Sequence, residues 1–191
     1  MTPETAIVIA WGLWVVSWLA AAPWSDPAAR RPGFSRESFY WIATVLGAVL
    51  VFGRFDRLDD GRLWRLGPGI DWTLAAVALA GLVFTWWARL YLGRLWSSSV
   101  TRKADHRVID TGPYAIVRHP IYTGIIAAIF ATAIVKGRLS GVVGAFVITF
   151  GYWIKARLEE RFLREQLGPE AYDSYRRKTP MLVPFGPKSA E

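Results

Sequence analysis

The 191-residue chain contains no cysteine, which excludes disulfides, thiolate metal sites and a cysteine nucleophile while leaving the compartment open. It has no zinc-finger spacing and no glycine-rich dinucleotide fingerprint, so neither a metal-stapled nucleic-acid module nor a Rossmann domain is indicated. No basic stretch precedes the first apolar run, whose start reads Met1-Thr2-Pro3-Glu4-Thr5, and that run is expected to be a mature helix and not a secretory leader. The most telling deficit is local. Asp, Glu, Lys and Arg are missing from five blocks, residues 5–25, 38–53, 72–88, 120–135 and 139–154.

Hydrophobic residues make up 53% of the chain, and their confinement to blocks near the length of a membrane span predicts an all-α integral membrane protein of about five transmembrane helices. Several blocks fall short of the roughly 20 residues that cross a hydrocarbon core upright. Interfacial Trp and snorkelling Arg are expected to complete them, and most of the 11 Trp lie in or beside a block. Placing the first connection, the third connection and the C-terminal tail on one side collects 17 of the 23 Lys and Arg there. The positive-inside rule makes that side, and the C-terminus, cytoplasmic. The net charge of +8 then reads as contact with membrane lipids and not with nucleic acid.

The chemistry is concentrated in the second half. Residues 1–88 read as a transmembrane scaffold carrying spans 1–3, and residues 89–191 as a catalytic region of cytoplasmic loop, a hairpin of spans 4 and 5, and C-terminal helices. Around Val108-Ile109 short extended pieces are expected. Lys136-Gly137-Arg138 is short enough to require a tight helical hairpin. Beyond span 5 the helical period runs from Lys155 through Leu167, Gly168-Pro169 stops it, and a second helix is expected over 169–177. Tyr152, Lys155 and Glu159, spaced i, i+3 and i+7, share one face of the first of these helices. Glu160 and Arg164, spaced i, i+4, read as a solvated ion pair.

The segment Gly112-Pro113-Tyr114-Ala115-Ile116-Val117-Arg118-His119-Pro120-Ile121-Tyr122-Thr123-Gly124 sets ionisable and aromatic groups directly against an apolar run. Ionisable groups at such a boundary are costly and point to function by default. Read with Glu159-Glu160-Arg161-Phe162-Leu163, Gly168, Tyr172, Tyr175 and Pro184-Phe185, it resembles the isoprenylcysteine carboxyl methyltransferase family, within a superfamily that also includes phospholipid N-methyltransferases. The likeness covers about residues 96–185.

The resemblance implies a membrane-embedded, S-adenosylmethionine-dependent methyltransferase with a cofactor pocket at the cytoplasmic side and no metal. It implies cofactor contacts from His106, Arg107, Val108, Ile109, Tyr114, His119, Pro120, Ile121, Tyr122 and Glu159. The family's substrate-handling Arg falls on Lys155, with Arg157 nearby, and these two are the candidate catalytic residues. The expected acceptor is a lipophilic small molecule or a prenylated group, for example the carboxylate of an isoprenylated cysteine. The Gly-x-Gln and Asn-Pro that members acting on prenylated cysteine often carry between the fourth and fifth spans are absent here, where the chain reads Ala131-Thr132-Ala133-Ile134-Val135-Lys136-Gly137-Arg138.

The residue types suit that chemistry. A sulfonium cofactor with amino, carboxylate, ribose and adenine parts needs acceptors, donors and flat apolar surfaces. Glu159, Tyr114, Tyr122 and His119 supply those. A carboxylate acceptor is ionised at pH 7 and needs no base, whereas an amine would need His119, Glu159 or Glu160 to take its proton. Two other readings stay open: an NADPH-dependent membrane reductase of the sterol reductase type, with Arg102, Lys103 and Arg107 toward a 2′-phosphate, and a non-catalytic scaffold that binds no cofactor.

Overall fold

The computed structural model describes residues 1–24, 34–53, 61–93 and 108–188, with side chains from residue 38 onward in the second of these segments. Among the described residues the regular structure is entirely helical: α1 (Pro3–Ala20), α2 (Phe34–Phe52), α3 (Pro68–Leu92), the single turn α4 (Pro113–Ile116), α5 (Pro120–Lys136), α6 (Leu139–Leu167) and α7 (Pro169–Lys178). Val108 and Ile109, expected to be extended, lie in irregular backbone ahead of α4.

The ends of these helices follow from local chemistry. Proline opens α1, α3, α4, α5 and α7 within the first two positions, where its missing N–H is not needed. The α5–α6 hairpin turns on Gly137, which sits at φ +66° and donates its N–H to the carbonyls of Ala133 and Ile134. A side chain there would also strike the Trp64 carbonyl.

Helices α1, α3 and α6, of 18, 25 and 29 residues, are long and apolar enough to cross a membrane. The other two apolar helices have shorter apolar stretches. Helix α5 has 17 residues, roughly 25 Å at about 1.5 Å per residue, and the apolar part of α2 runs from Ser38 to Phe52.

Two close crossings organise the bundle. Helix α3 packs on α5 and α2 packs on α6, while α5 lies against α6 and α1 flanks α3. At the first crossing, a Cβ on Gly81 would lie 2.5 Å from the Gly124 carbonyl oxygen, and one on Gly124 would lie 2.7 Å from Thr85 Cγ2. At the second, a Cβ on Gly47 would lie 2.7 Å from the Gly144 carbonyl, and one on Gly144 2.6 Å from that of Gly47. Helices in lipid gain little from hydrophobic exclusion, and glycine pairs let their backbones touch. Indoles then bridge the helices as donors: Trp11 to Thr132 Oγ1 at 3.0 Å, Trp14 to Thr85 Oγ1 at 2.6 Å, and Trp86 to Ser17 Oγ at 3.1 Å.

Gly12 on α1 has open space around its would-be Cβ, in contrast to Gly124. Gly124→Ala is therefore expected to lose about 1–3 kcal/mol through overpacking. Gly12→Ala is expected to hold or slightly gain stability through helix propensity. Thermal unfolding of the two variants in one detergent checks both signs.

Candidate functional site

The site begins with a backbone device. Gly112 adopts φ +58°, and a Cβ there would meet the Tyr91 ring at 2.6 Å, so only glycine lets the chain turn into α4 beneath that ring. After α4 the backbone extends at Val117, and the C-terminal tail lies alongside it. The Arg118 N–H donates to the Pro180 carbonyl at 2.9 Å, and the His119 N–H to that of Met181 at 3.1 Å. Pro120 then starts α5, with the His119 carbonyl accepting from Thr123 N at 3.0 Å. This places Arg118 and His119 at the mouth of the bundle, both buried.

From the other side, the shared face of α6 converges on one aromatic ring. Tyr152 stacks on Tyr122 with centroids 4.9 Å apart, the Lys155 ammonium lies 5.3 Å from the Tyr122 centroid, and the Tyr122 hydroxyl donates to Glu159 Oε1 at 2.6 Å. His119 stacks on Tyr122 at 5.4 Å and 5°. The Lys155 ammonium also lies 5.0 Å from the ring of Tyr40, so α2 closes the cluster. Two π faces favour the charged ammonium there.

His119 faces a carboxylate on each ring nitrogen: Nδ1 is 3.4 Å from Glu159 Oε2, and Nε2 is 3.3 Å from Glu160 Oε1. A neutral imidazole has one N–H, so two acceptors favour the imidazolium. Burial lowers the His119 pKa, but its hydrogen bonds to Glu159 and Glu160 and their charges outweigh that and raise it above the ordinary value.

The two glutamates differ in what they leave available. Glu160, with 6% of its side chain exposed, accepts from Arg118 Nε at 2.7 Å and lies 3.5 Å from Arg176 Nε. Arg118 in turn donates to the carbonyls of Arg176 and Thr179, each at 2.9 Å, at the end of α7. Glu159, with 19% exposed, meets Tyr122 and His119 and retains acceptor capacity for a further donor. Glu160 is therefore not in the solvated pair expected with Arg164. That arginine reaches across to α7 and holds Asp173 at 2.9 Å.

Of the residues singled out from sequence, His119, Tyr122, Lys155 and Glu159 meet in one cluster, and buried Pro120 precedes Tyr122 on α5. Ile121, Val108 and Ile109 are half-buried. Tyr114 is buried; its hydroxyl lies 3.4 Å from the Ala88 carbonyl and its own carbonyl accepts from Tyr175 at 2.7 Å. Arg157 stands outside the cluster, exposed, with its guanidinium 5.4 Å from the Trp153 ring. His106 and Arg107 lie outside the described residues. Among the described residues there is no group of His, Asp and Glu able to hold a metal ion.

Sequence reasoning passed over Tyr40 and Arg176, and it noted Arg118 and Glu160 without pairing them with each other.

Residues 74–165 match the model of the isoprenylcysteine carboxyl methyltransferase family. The chain is 28% identical to methanethiol S-methyltransferase 1 of Bradyrhizobium diazoefficiens over 159 residues, 78% of this chain and 54% of that protein. It is 31% identical to the protein-S-isoprenylcysteine O-methyltransferase of Schizosaccharomyces pombe over 45% of this chain and 36% of that one. A third relative, the cobalt-zinc-cadmium resistance protein CzcN of Cupriavidus metallidurans, is 27% identical over 67% of this chain and 68% of its own length. The chain thus spans about half the length, or less, of the two methyltransferases. The matched segment contains the whole Tyr122 cluster except Tyr40, and over that segment the chain is similar to the isoprenylcysteine carboxyl methyltransferase family.

Proposed function

We propose that the chain is a multi-pass membrane methyltransferase that takes S-adenosylmethionine and methylates an anionic acceptor, lipophilic or sulfur-bearing. Five helices cross the bilayer in this reading, α2 and α5 among them, and the site end with the C-terminus faces the cytoplasm. The observation that carries the proposal is the placement of one cation and one partly open carboxylate on the same ring: Lys155 over Tyr122, and Glu159 held by its hydroxyl.

The residues fit the cofactor's chemistry. When bound, the cofactor supplies an electrophilic methyl group on a sulfonium. Glu159 offers acceptor positions to its amino group or ribose hydroxyls, the tyrosines offer flat surfaces, and the Val108–Ile109 backbone offers donors and acceptors. Tyr122 and His119 hold the Glu159 carboxylate in one orientation, so little reorganisation is needed when a ligand arrives.

Lys155 sets the acceptor class. A carboxylate is already ionised at pH 7, and a buried ammonium aligns it without any proton transfer. A simple alkanethiol is mostly protonated at pH 7, with a pKa above that of a cysteine thiol, and a nearby ammonium would favour its loss of the proton to solvent and the thiolate that results. Glu159 would hold the cofactor and Lys155 the acceptor anion, and transfer of the methyl group the cofactor would supply would cancel the anion's charge against that of the sulfonium. The similarity to a methanethiol S-methyltransferase across most of the chain favours the thiol as the first acceptor to try, ahead of a prenylated carboxylate.

Calorimetric titration with S-adenosylhomocysteine tests the cofactor without knowledge of the acceptor. Near-equimolar saturable binding is expected. Stabilisation by NADPH in place of S-adenosylhomocysteine in a thermal-shift comparison would replace the proposal with the reductase reading. Assays with methanethiol and with an S-prenylated cysteine analogue then separate the two acceptors.

The two glutamates are expected to fail differently. Glu159→Gln should weaken S-adenosylhomocysteine binding at least tenfold with a small change in melting temperature. Glu160→Gln strips Arg118 of its buried carboxylate and should destabilise the protein by about 3–5 kcal/mol. Titration and thermal unfolding of both variants check the contrast.

His119 also gives the stability a defined pH dependence. Its folded pKa is raised, so its contribution is fully present below the ordinary value of about 6.5 and is lost as pH rises through the raised value. The melting-temperature gap between the parent and His119→Gln should be widest at acidic pH and narrow as pH rises.

A further inference from the structure

Beyond the site, the C-terminal tail presents a feature that internal packing does not explain. Val183 and Phe185 are 64% and 97% exposed, and Phe185 is the most exposed large hydrophobic residue among those described. Phe185 also adopts φ +60°, a left-handed conformation that is uncommon for a bulky residue. The turn is nevertheless closed, with Gly186 N–H donating to the Val183 carbonyl at 2.9 Å. A bulky ring in a strained turn, pointing away from its own protein, calls for an apolar environment outside it.

The position of the turn says which environment. The carbonyl of Leu182, one residue before the apolar tip, accepts from Thr123 Oγ1 at 2.6 Å, in the first turn of α5. Thr123 lies three residues into that helix, which is uncharged up to Lys136, roughly 4.5 Å along its axis. The tip therefore leaves the protein at the boundary between the apolar bundle and its polar end. Between residues 174 and 190 the chain has four basic residues, Arg176, Arg177, Lys178 and Lys188, and no acidic one. Arg177, Lys178 and Lys188 are exposed. Apolar residues beside exposed cations suit the headgroup layer of an anionic leaflet.

We infer that the Val183–Pro184–Phe185 turn is an interfacial anchor, seated between the headgroups and upper acyl chains of an anionic leaflet, with Arg177, Lys178 and Lys188 on lipid phosphates. Pro180 and Met181 hydrogen-bond to Arg118 and His119, so the anchor couples the depth of the site to the bilayer surface.

The absence of cysteine makes the test clean. Single-cysteine variants Phe185→Cys and, separately, Val183→Cys are labelled with bimane and reconstituted into vesicles of phosphatidylcholine with and without 30% phosphatidylglycerol. Doxyl lipids labelled at acyl carbon 5 are expected to quench the dye more than those labelled at carbon 12, with protection from aqueous iodide. Phosphatidylglycerol should strengthen the lipid quenching at least twofold, and Arg177→Gln with Lys178→Gln should remove that gain. Free iodide quenching without doxyl quenching at both positions would overturn the inference. So would doxyl-insensitive protection that depends on protein density, the mark of contact with a second protein.

Discussion

Glu160 must satisfy a severe constraint. It lies within a long helix, 5% exposed, directly beside a second carboxylate, and a buried anion of this kind persists only where cations and donors surround it. Three groups meet that need. Arg118 comes from the stretch before α5, His119 from its N-terminal boundary, and Arg176 from α7. One carboxylate thus fixes the start of α5 and the start of the tail relative to the lower part of α6. Because Arg118 and His119 are committed on that side, His119 is held where its other nitrogen meets Glu159. The orientation of the open glutamate follows from the satisfaction of the closed one.

A related rule operates at the helix ends, where carbonyls left without partners carry partial negative charge. Arg89 donates to the carbonyls of Trp18 and Ala21 at the end of α1, Lys136 to Val51 at the end of α2, and Arg62 to Lys136 and Val135 at the end of α5. Arg118 does the same at the end of α7. In each case the cation belongs to a different element, so each contact is both a cap and a tertiary link. At these four helix ends another part of the chain supplies charge to the last turn. These contacts also sort the helix ends into two groups. Arg62 joins the start of α1 to the end of α5, opposite the end where Arg89, Arg118 and Glu160 lie.

Much of this was legible in the sequence, for identifiable reasons. Charge-free blocks marked five helices because excluding charge from an apolar environment is a requirement on composition, visible without coordinates. The face of Tyr152, Lys155 and Glu159 was visible because helical period is local. What was hidden was the destination of each charge. Arg89, Arg62 and Lys136 counted as flanking cations, yet they serve carbonyls up to 85 residues away. Glu160 was paired with Arg164 on spacing alone, and a partner 42 residues earlier in the chain took it instead. Spacing along a helix predicts which residues are near each other. It does not predict which will find a better partner across a fold.

The two glycine crossings explain why the cluster sits where it does. Gly81 with Gly124 brings α3 against α5, and Gly47 with Gly144 brings α2 against α6. Tyr122 lies two residues before Gly124, so the first crossing sets the height of that ring at the mouth of the bundle. On α2, Tyr40 lies seven residues before Gly47, and on α6 Lys155 lies eleven after Gly144. Seven and eleven residues are each close to a whole number of helical turns, so both side chains project from the same faces as their crossing glycines, toward each other. The second crossing thereby aims Tyr40 and Lys155 at one point, and the contact between α5 and α6 brings Tyr122 to it. A Cβ at any of these four glycines would lie within 2.7 Å of the facing helix, so a larger residue would push its crossing apart and pull on the 2.6 Å hydrogen bond between Tyr122 and Glu159. Backbone contact at glycine, well inside the apolar bundle, is thus what holds a polar site in register at its end.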